Sequence, residues 1–284
     1  MFIELDSARV FFDSVGSSLA IDGDAMRGRQ ALVVLHGGPG FDHSILRPYF
    51  DRFADEYQVI YIDHRGNGRS TGAPETWRLA QWGDDVKAVC DRLGIVKPLV
   101  YGLSFGGMVA MAYATRHPEH PARLVLASTA ARMELVATYK MMEQLGGLAA
   151  RQIAERFWSD PTEEAAAEYI TVCMPLYNPI GATSAEARTR AITRFEVMFH
   201  FIGGEQRTMD MTADLAKVIC PTLVLAGGLD PITPVICSRN IFEGLRRGIG
   251  ELEVFEGAGH GVHRDEPERA EARLRAFFHA AEAA

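Results

Sequence analysis

Residues 98–116 read PLVYGLSFGGMVAMAYATR, and the fold turns on how they are read. The stretch carries no charge until Arg116 and approaches the roughly 18 residues that open a transmembrane reading. Gly102, Ser104, Gly106 and Gly107 interrupt it, however, so it divides better into a buried strand (Pro98–Leu103), a tight turn and a buried helix (Phe105–Arg116). The helix is apolar on nearly every side, as expected of one enclosed by a sheet and its neighbours.

The same rhythm continues on either side. Ala31–Leu35 (ALVVL) and Tyr57–Ile62 (YQVIYI) are short apolar runs of the kind that form buried parallel strands. Leu79–Leu93 sets Trp82, Val86, Cys90 and Leu93 at helical spacing, and Arg123–Ala127 supplies another strand. Strands alternating with helices predict a mostly parallel sheet with right-handed crossovers.

The rhythm stops near Ala130. MELVATYKMMEQL, LAARQIAERFW, TEEAAAEYITVCM and SAEARTRAITRFEVMFHFI all have helical composition, and Thr162 stands as a cap before Glu163 and Glu164. Strands resume with PTLVLAGG and ELEVFEGAGH, and a helix over 267–281 places Ala270, Leu274, Phe277, Phe278 and Ala281 on one face. The expected organisation is an α/β core from residues 1–130 and 213–284, with a helical block of residues 131–212 inserted as a cap.

Composition narrows the partners. The chain has 284 residues, 48% hydrophobic and 23% charged, with 29 Lys and Arg against 37 Asp and Glu, a formal charge of −8. That balance disfavours nucleic acid and anionic membranes, both of which reward basic surfaces. The opening MFIELDSARV has acids where a signal peptide needs basic and then apolar residues, so a cytoplasmic location is expected. Cys90, Cys173, Cys220 and Cys237 lack C-x-x-C spacing, and no metal site, phosphate loop or dinucleotide fingerprint is read; no cofactor is expected.

Gly102-Leu103-Ser104-Phe105-Gly106 is a G-x-S-x-G motif between a strand and a helix. Such a turn pushes the serine out of the sheet edge and aims the next amide, that of Phe105, from a helix N-terminus where negative charge is favoured. A serine nucleophile needs a base, and the base an orienting acid. Asp230 follows the strand PTLVLAGG and His260 the strand ELEVFEGAG, so the order Ser104, Asp230, His260 suits the fold. His263 is the rival base; the turn Gly257-Ala258-Gly259 leading into His260 favours His260. His36-Gly37-Gly38-Pro39-Gly40 is a second Gly-rich turn after a strand, whose amides can face a ligand. Gly38, with Gly37 second, would join Phe105 in an oxyanion hole, while His36 props the loop.

HGGPG, DHRGNGRS (Asp63–Ser70), GLSFGG, GGLDPITP (Gly227–Pro234) and GAGH together resemble the proline iminopeptidase group of α/β-hydrolases. The resemblance spans about residues 1–130 and 213–284. It implies an eight-stranded, mostly parallel sheet with a helical cap, and release of an N-terminal residue, typically proline. It also implies that Glu196, in a segment similar to the group's R-x-E-x-x-x-F, meets the substrate's free amine; a solvated helix glutamate is the competing reading. Asn67 stands where typical members carry cysteine.

A serine aminopeptidase acting on a small molecule or short peptide is therefore expected first. An esterase, lactonase or other amide hydrolase is the alternative, and a non-catalytic receptor on the same fold a further one.

Overall fold

The computed structural model describes residues 1–181 and 189–280. Eight strands form one sheet in the order β1-β2-β6-β5-β7-β8-β9-β10. They are β1 (Phe2–Leu5), β2 (Ala8–Val15), β5 (Ala31–Leu35), β6 (Gln58–Ile62), β7 (Leu99–Leu103), β8 (Arg123–Ala127), β9 (Thr222–Gly227) and β10 (Gly250–Phe255). β1 and β2 pair antiparallel, and β2 meets β6 antiparallel; every pairing from β6 through to β10 is parallel. This is the α/β-hydrolase fold, with the eight-stranded, mostly parallel sheet that the family resemblance implies.

The parallel strands β5, β7, β8 and β9 are buried throughout, which is why they read as continuous apolar runs. One face of the sheet is covered by α1 (Leu79–Arg92) and α2 (Phe105–Arg116), which pack against each other. The other carries Phe50, Phe53 and the apolar stripe of the C-terminal helix (Pro267–His279), with Ala270, Leu274, Phe277 and Phe278 buried as the spacing predicts. Ala281 lies outside the described residues.

The N-terminal strands were not read from sequence. β2 alternates buried and open positions along ARVFFDSV, the mark of a half-covered strand, and a separate hairpin pairs β3 (Leu19–Asp22) with β4 (Ala25–Gly28). Between β8 and β9 the described residues form no strand. They form α3 (Leu135–Ser159), α4 (Glu163–Val172) and α5 (Phe195–Gly203), with short 3-10 turns. Thr162 caps α4, its hydroxyl accepting from Ala165 N–H. The two helical segments read separately on either side of Gly147 run on as α3, kinked where Gly147 takes φ 74°. Part of the expected helix over SAEARTRAITRF lies outside the described residues, and residues 191–194 are not helical. Met142, Ala154, Phe157, Tyr169 and Ile202 gather in an apolar cluster of their own above the sheet edge.

Candidate active site

The sheet's parallel strands end on one side, and the candidate residues come together there, as open α/β sheets arrange their sites. β7 ends at Leu103 and α2 begins at Phe105, so Ser104 must make the whole reversal. It does so at φ 54°, ψ −120°, a strained backbone for a residue with a side chain. The glycines beside it are there because no Cβ fits. One built on Gly102 would lie 2.4 Å from Gly106 O, one on Gly106 2.3 Å from Leu35 O, and one on Gly107 2.6 Å from Thr129. Below the turn, the Phe105 ring meets Trp82, His64 and Phe201 edge to face.

Asp230 sits just past β9 and is fully buried. Its carboxylate accepts from Ile232 N–H, Thr233 N–H and the Thr233 hydroxyl at 2.8, 3.0 and 2.8 Å. His260 Nδ1 lies 3.0 and 2.9 Å from its two oxygens. A carboxylate only accepts, so Nδ1 carries the proton and Nε2 of the neutral ring keeps its lone pair. Burial alone would raise the Asp230 carboxyl; His260 and the hydrogen bonds from His260, Thr233 and Ile232 outweigh it and hold the group below its usual value.

His260 and Ser104 line the same cavity. Among the described residues, His263 does not line that cavity; it is buried against Tyr49 and Phe50, and its Nδ1 meets no partner there.

The HGGPG loop follows β5 and runs beside the serine: a Cβ on Gly37 would stand 3.4 Å from Ser104 Cβ. Gly38 takes φ 129°, a left-handed value that favours glycine. The N–H groups of Gly37, Gly38 and Phe105 meet no acceptor among the described residues, while Gly40 N–H donates to Asn67 Oδ1 at 2.6 Å and Gly40 O accepts from Arg194 N–H at 2.6 Å. His36 props the loop. Its Nε2 accepts from His64 N–H at 3.2 Å, which leaves Nδ1–H to donate to Gly37 O at 2.7 Å. Asn67 thus ties the RGNGRS loop to the HGGPG loop, a role the sequence alone did not reveal.

The cavity measures about 570 Å³. Its floor is made by the Ser104 turn, the HGGPG loop and the loops after β9 and β10. Its roof is made by apolar side chains of α3, α4 and α5, among them Phe157, Tyr169, Met198 and Ile202. Among the described residues lining it there is no Asp or Glu, and Arg264 is the permanent cation. Glu196 is not brought to this cavity. It stands in the first turn of α5 with its side chain 59% exposed, 4.0 Å from Arg194, while Val197, Met198, Phe201 and Ile202 face inward.

Asp42, His43 and Asp63 also lie together and buried, but their oxygens are occupied. Asp63 accepts from His43 Nδ1, and Asp42 and Asp63 both accept from Arg69. Their acceptor oxygens are thus taken by the protein's own donors.

A family model described as serine aminopeptidase, S33, matches residues 27–267. A proline iminopeptidase of Levilactobacillus brevis is 28% identical over 274 residues, covering 89% of each chain. A 3-oxoadipate enol-lactonase of Acinetobacter baylyi is 29% identical over 236 residues, 81% of this chain and 79% of that one. Among solved structures, the proline iminopeptidase of Mycobacterium smegmatis superposes with a TM-score of 0.75 at 22% identity, covering 98% of this chain and 97% of that one, a likeness of fold.

Proposed function

Because the chain belongs to the serine aminopeptidase S33 family of α/β-hydrolases, we propose that it is a cofactor-free serine hydrolase working by a Ser104–His260–Asp230 triad on uncharged esters or lactones with an apolar acyl group. Ser104 Oγ attacks the carbonyl while His260 Nε2 takes its proton and later returns it to the leaving group. Asp230 holds the imidazole by Nδ1–H and stabilises its cation. The amides of Gly38 and Phe105 receive the oxyanion, and water releases the acyl group in a second round. Residues 131–212 serve as the cap that selects the substrate, and the reaction is placed in the cytoplasm.

The observation that carries this reading is the cavity wall. An ammonium group entering it gives up its water and meets no carboxylate among the described residues. An unpaired buried charge costs about 3 kcal/mol or more. A neutral ester loses little by the same transfer and gains from the apolar roof. An enol-lactonase among the relatives is consistent with this preference.

A second reading, release of N-terminal proline or another small residue (the EC 3.4.11 type), is favoured by the HGGPG loop and the family description. Four substrates separate the two: p-nitrophenyl butyrate, p-nitrophenyl octanoate, prolyl p-nitroanilide and its N-acetyl form. The ester reading expects kcat/KM for both esters to exceed that for the prolyl amide by about 10-fold or more. A prolyl amide cleaved at least 10-fold better than its N-acetyl form, and better than the esters, would make the enzyme an aminopeptidase.

A further inference from the structure

The loop that carries His260 is joined to the segment following α4 by a buried polar connection, and Asp265 is its centre. Asp265 ends a single helical turn (Val262–Asp265) and is 6% exposed. Its Oδ1 accepts from Ile180 N–H at 3.2 Å and Gly181 N–H at 2.6 Å. Its Oδ2 accepts from Gly259 N–H at 2.7 Å and Asn178 Nδ2 at 3.1 Å. One carboxylate therefore spans two loops that are about 80 residues apart in sequence, one oxygen holding both Gly259, the residue before His260, and Asn178, the other holding Ile180 and Gly181.

Two more bonds run alongside it. His260 N–H donates to Tyr177 O at 2.6 Å, and Asn178 Nδ2 donates to Gly261 O at 3.2 Å. The backbones approach so closely that side chains are excluded on both sides. A Cβ on Gly259 would lie 2.0 Å from Tyr177 O, and one on Gly181 2.1 Å from Arg264 O. The same segment supplies Tyr177, whose ring stands edge-on to the His260 imidazole at 5.3 Å, and both Tyr177 and Asn178 line the cavity.

We infer that Asp265 is a positioning residue: by accepting four N–H bonds, it sets the His260 ring and the adjoining cavity wall in one register. This rests on the proposed role of His260 as base. The chemistry requires a carboxylate. All four partners are donors, and aspartate offers two acceptor oxygens, whereas asparagine of the same shape must turn an NH₂ group toward N–H donors. The imidazole and the wall of the chamber then shift together, although Asp265 touches neither substrate nor Ser104.

The test compares Asp265→Asn and Asp265→Glu with the unmutated chain, with folding checked by circular dichroism. Two measurements are made: kcat/KM on p-nitrophenyl butyrate per site titrated to completion with a fluorophosphonate, and the downfield proton resonance of His260 Nδ1–H. Asp265→Asn is expected to lose roughly 10- to 100-fold in kcat/KM, the scale of a 1 Å misplacement, and to lose or broaden the His260 resonance. Asp265→Glu, which keeps both acceptors, is expected to recover part of each. An Asp265→Asn protein that melts earlier but keeps unmutated kcat/KM and an unmutated resonance would overturn the inference. If the unmutated chain neither hydrolyses the ester nor reacts with the reagent, the hydrolase reading fails, and the resonance still decides what Asp265 does. Should Asp265→Asn not fold, Asn178→Ala removes one donor and the Gly261 bridge: a smaller shift of the same resonance supports the inference, and none contradicts it.

Discussion

The floor and the roof of the cavity are built on different principles. The floor is backbone against backbone: Gly102, Gly106 and Gly107 admit no Cβ, and their neighbours are carbonyl oxygens, main-chain atoms and the Thr129 side chain. The roof is side chain against side chain, with Met142, Phe157, Tyr169, Met198 and Ile202 sharing one apolar cluster. Main-chain contacts at this separation leave one residue type that fits. Apolar side chains can be exchanged for others of similar volume at a cost under about 1.5 kcal/mol. A molecule built this way holds its reaction constant and lets its substrate vary. Relatives named for a lactone and for N-terminal proline on one fold agree with that division.

The largest effect is expected on the floor's chemistry. Asp230→Asn keeps the shape but can present an N–H to His260 Nδ1, favouring the wrong tautomer. kcat should fall about 10⁴-fold while the melting temperature changes little. A loss below 10-fold would mean that the acid lies elsewhere.

Next comes the floor's backbone. Gly106→Ala would set a methyl 2.3 Å from Leu35 O and 2.6 Å from His36 O, neither of which can move without displacing β5. We expect a loss of about 3 kcal/mol or failure to fold, whereas Met198→Leu in the roof should cost under about 1.5 kcal/mol and alter only the ranking of ester chain lengths. Equal losses for the two, measured by urea unfolding, would erase the distinction.

The α/β core that carries the floor should also be the acid-sensitive half. Burial, opposed in part by Asp63, lowers His36 below the ordinary histidine value of 6.5; burial lowers His64 and His263 well below it. Below that pH the unfolded chain takes up protons that the folded chain refuses. Stability should therefore be highest above 6.5 and decline as the pH falls through it, by up to about 1.4 kcal/mol per pH unit for each histidine. Calorimetry at pH 7.5 and 5.5, above the range where ordinary carboxylates titrate, reads this directly; an unchanged melting temperature would contradict it.

The smallest effect is expected at Glu196. With its side chain 59% exposed and outside the cavity, Glu196→Gln should leave kcat/KM on esters within about twofold. A loss confined to free-amine substrates would return the residue to the site and sharpen the second reading.

The same contrast explains what could be read from the sequence. Where backbone crowding demands glycine, the demand is written as G-x-S-x-G, HGGPG and GAGH, and these brought Ser104, the HGGPG loop and His260 to one cavity, with Asp230, read from GGLDPITP, behind His260. The parallel strands were legible because burial on both faces makes them uniformly apolar. β1 and β2 were missed because a half-covered edge alternates instead, as ARVFFDSV does. Helical composition announced the roof but not which face turns inward. Glu196 was left between a substrate amine and solvent for that reason, although the inward set Val197, Met198, Phe201 and Ile202 has the helical spacing that puts residue 196 outside. Asp265 was hidden within the charged run HRDEPER. Gly181, Gly259 and Gly261 were its trace, but their meeting is a tertiary fact that no local pattern carries.

The central claim is that Ser104 is the nucleophile, and one labelling measurement tests it. The full chain is incubated with a fluorophosphonate, its intact mass is determined, and the modified peptide is identified. The account expects one phosphonyl group per chain, on the peptide holding Gly102-Leu103-Ser104-Phe105-Gly106, with labelling and ester hydrolysis both lost in folded Ser104→Ala. A protein that hydrolyses esters while labelled on another residue, or that stays active and labelled as Ser104→Ala, would contradict it.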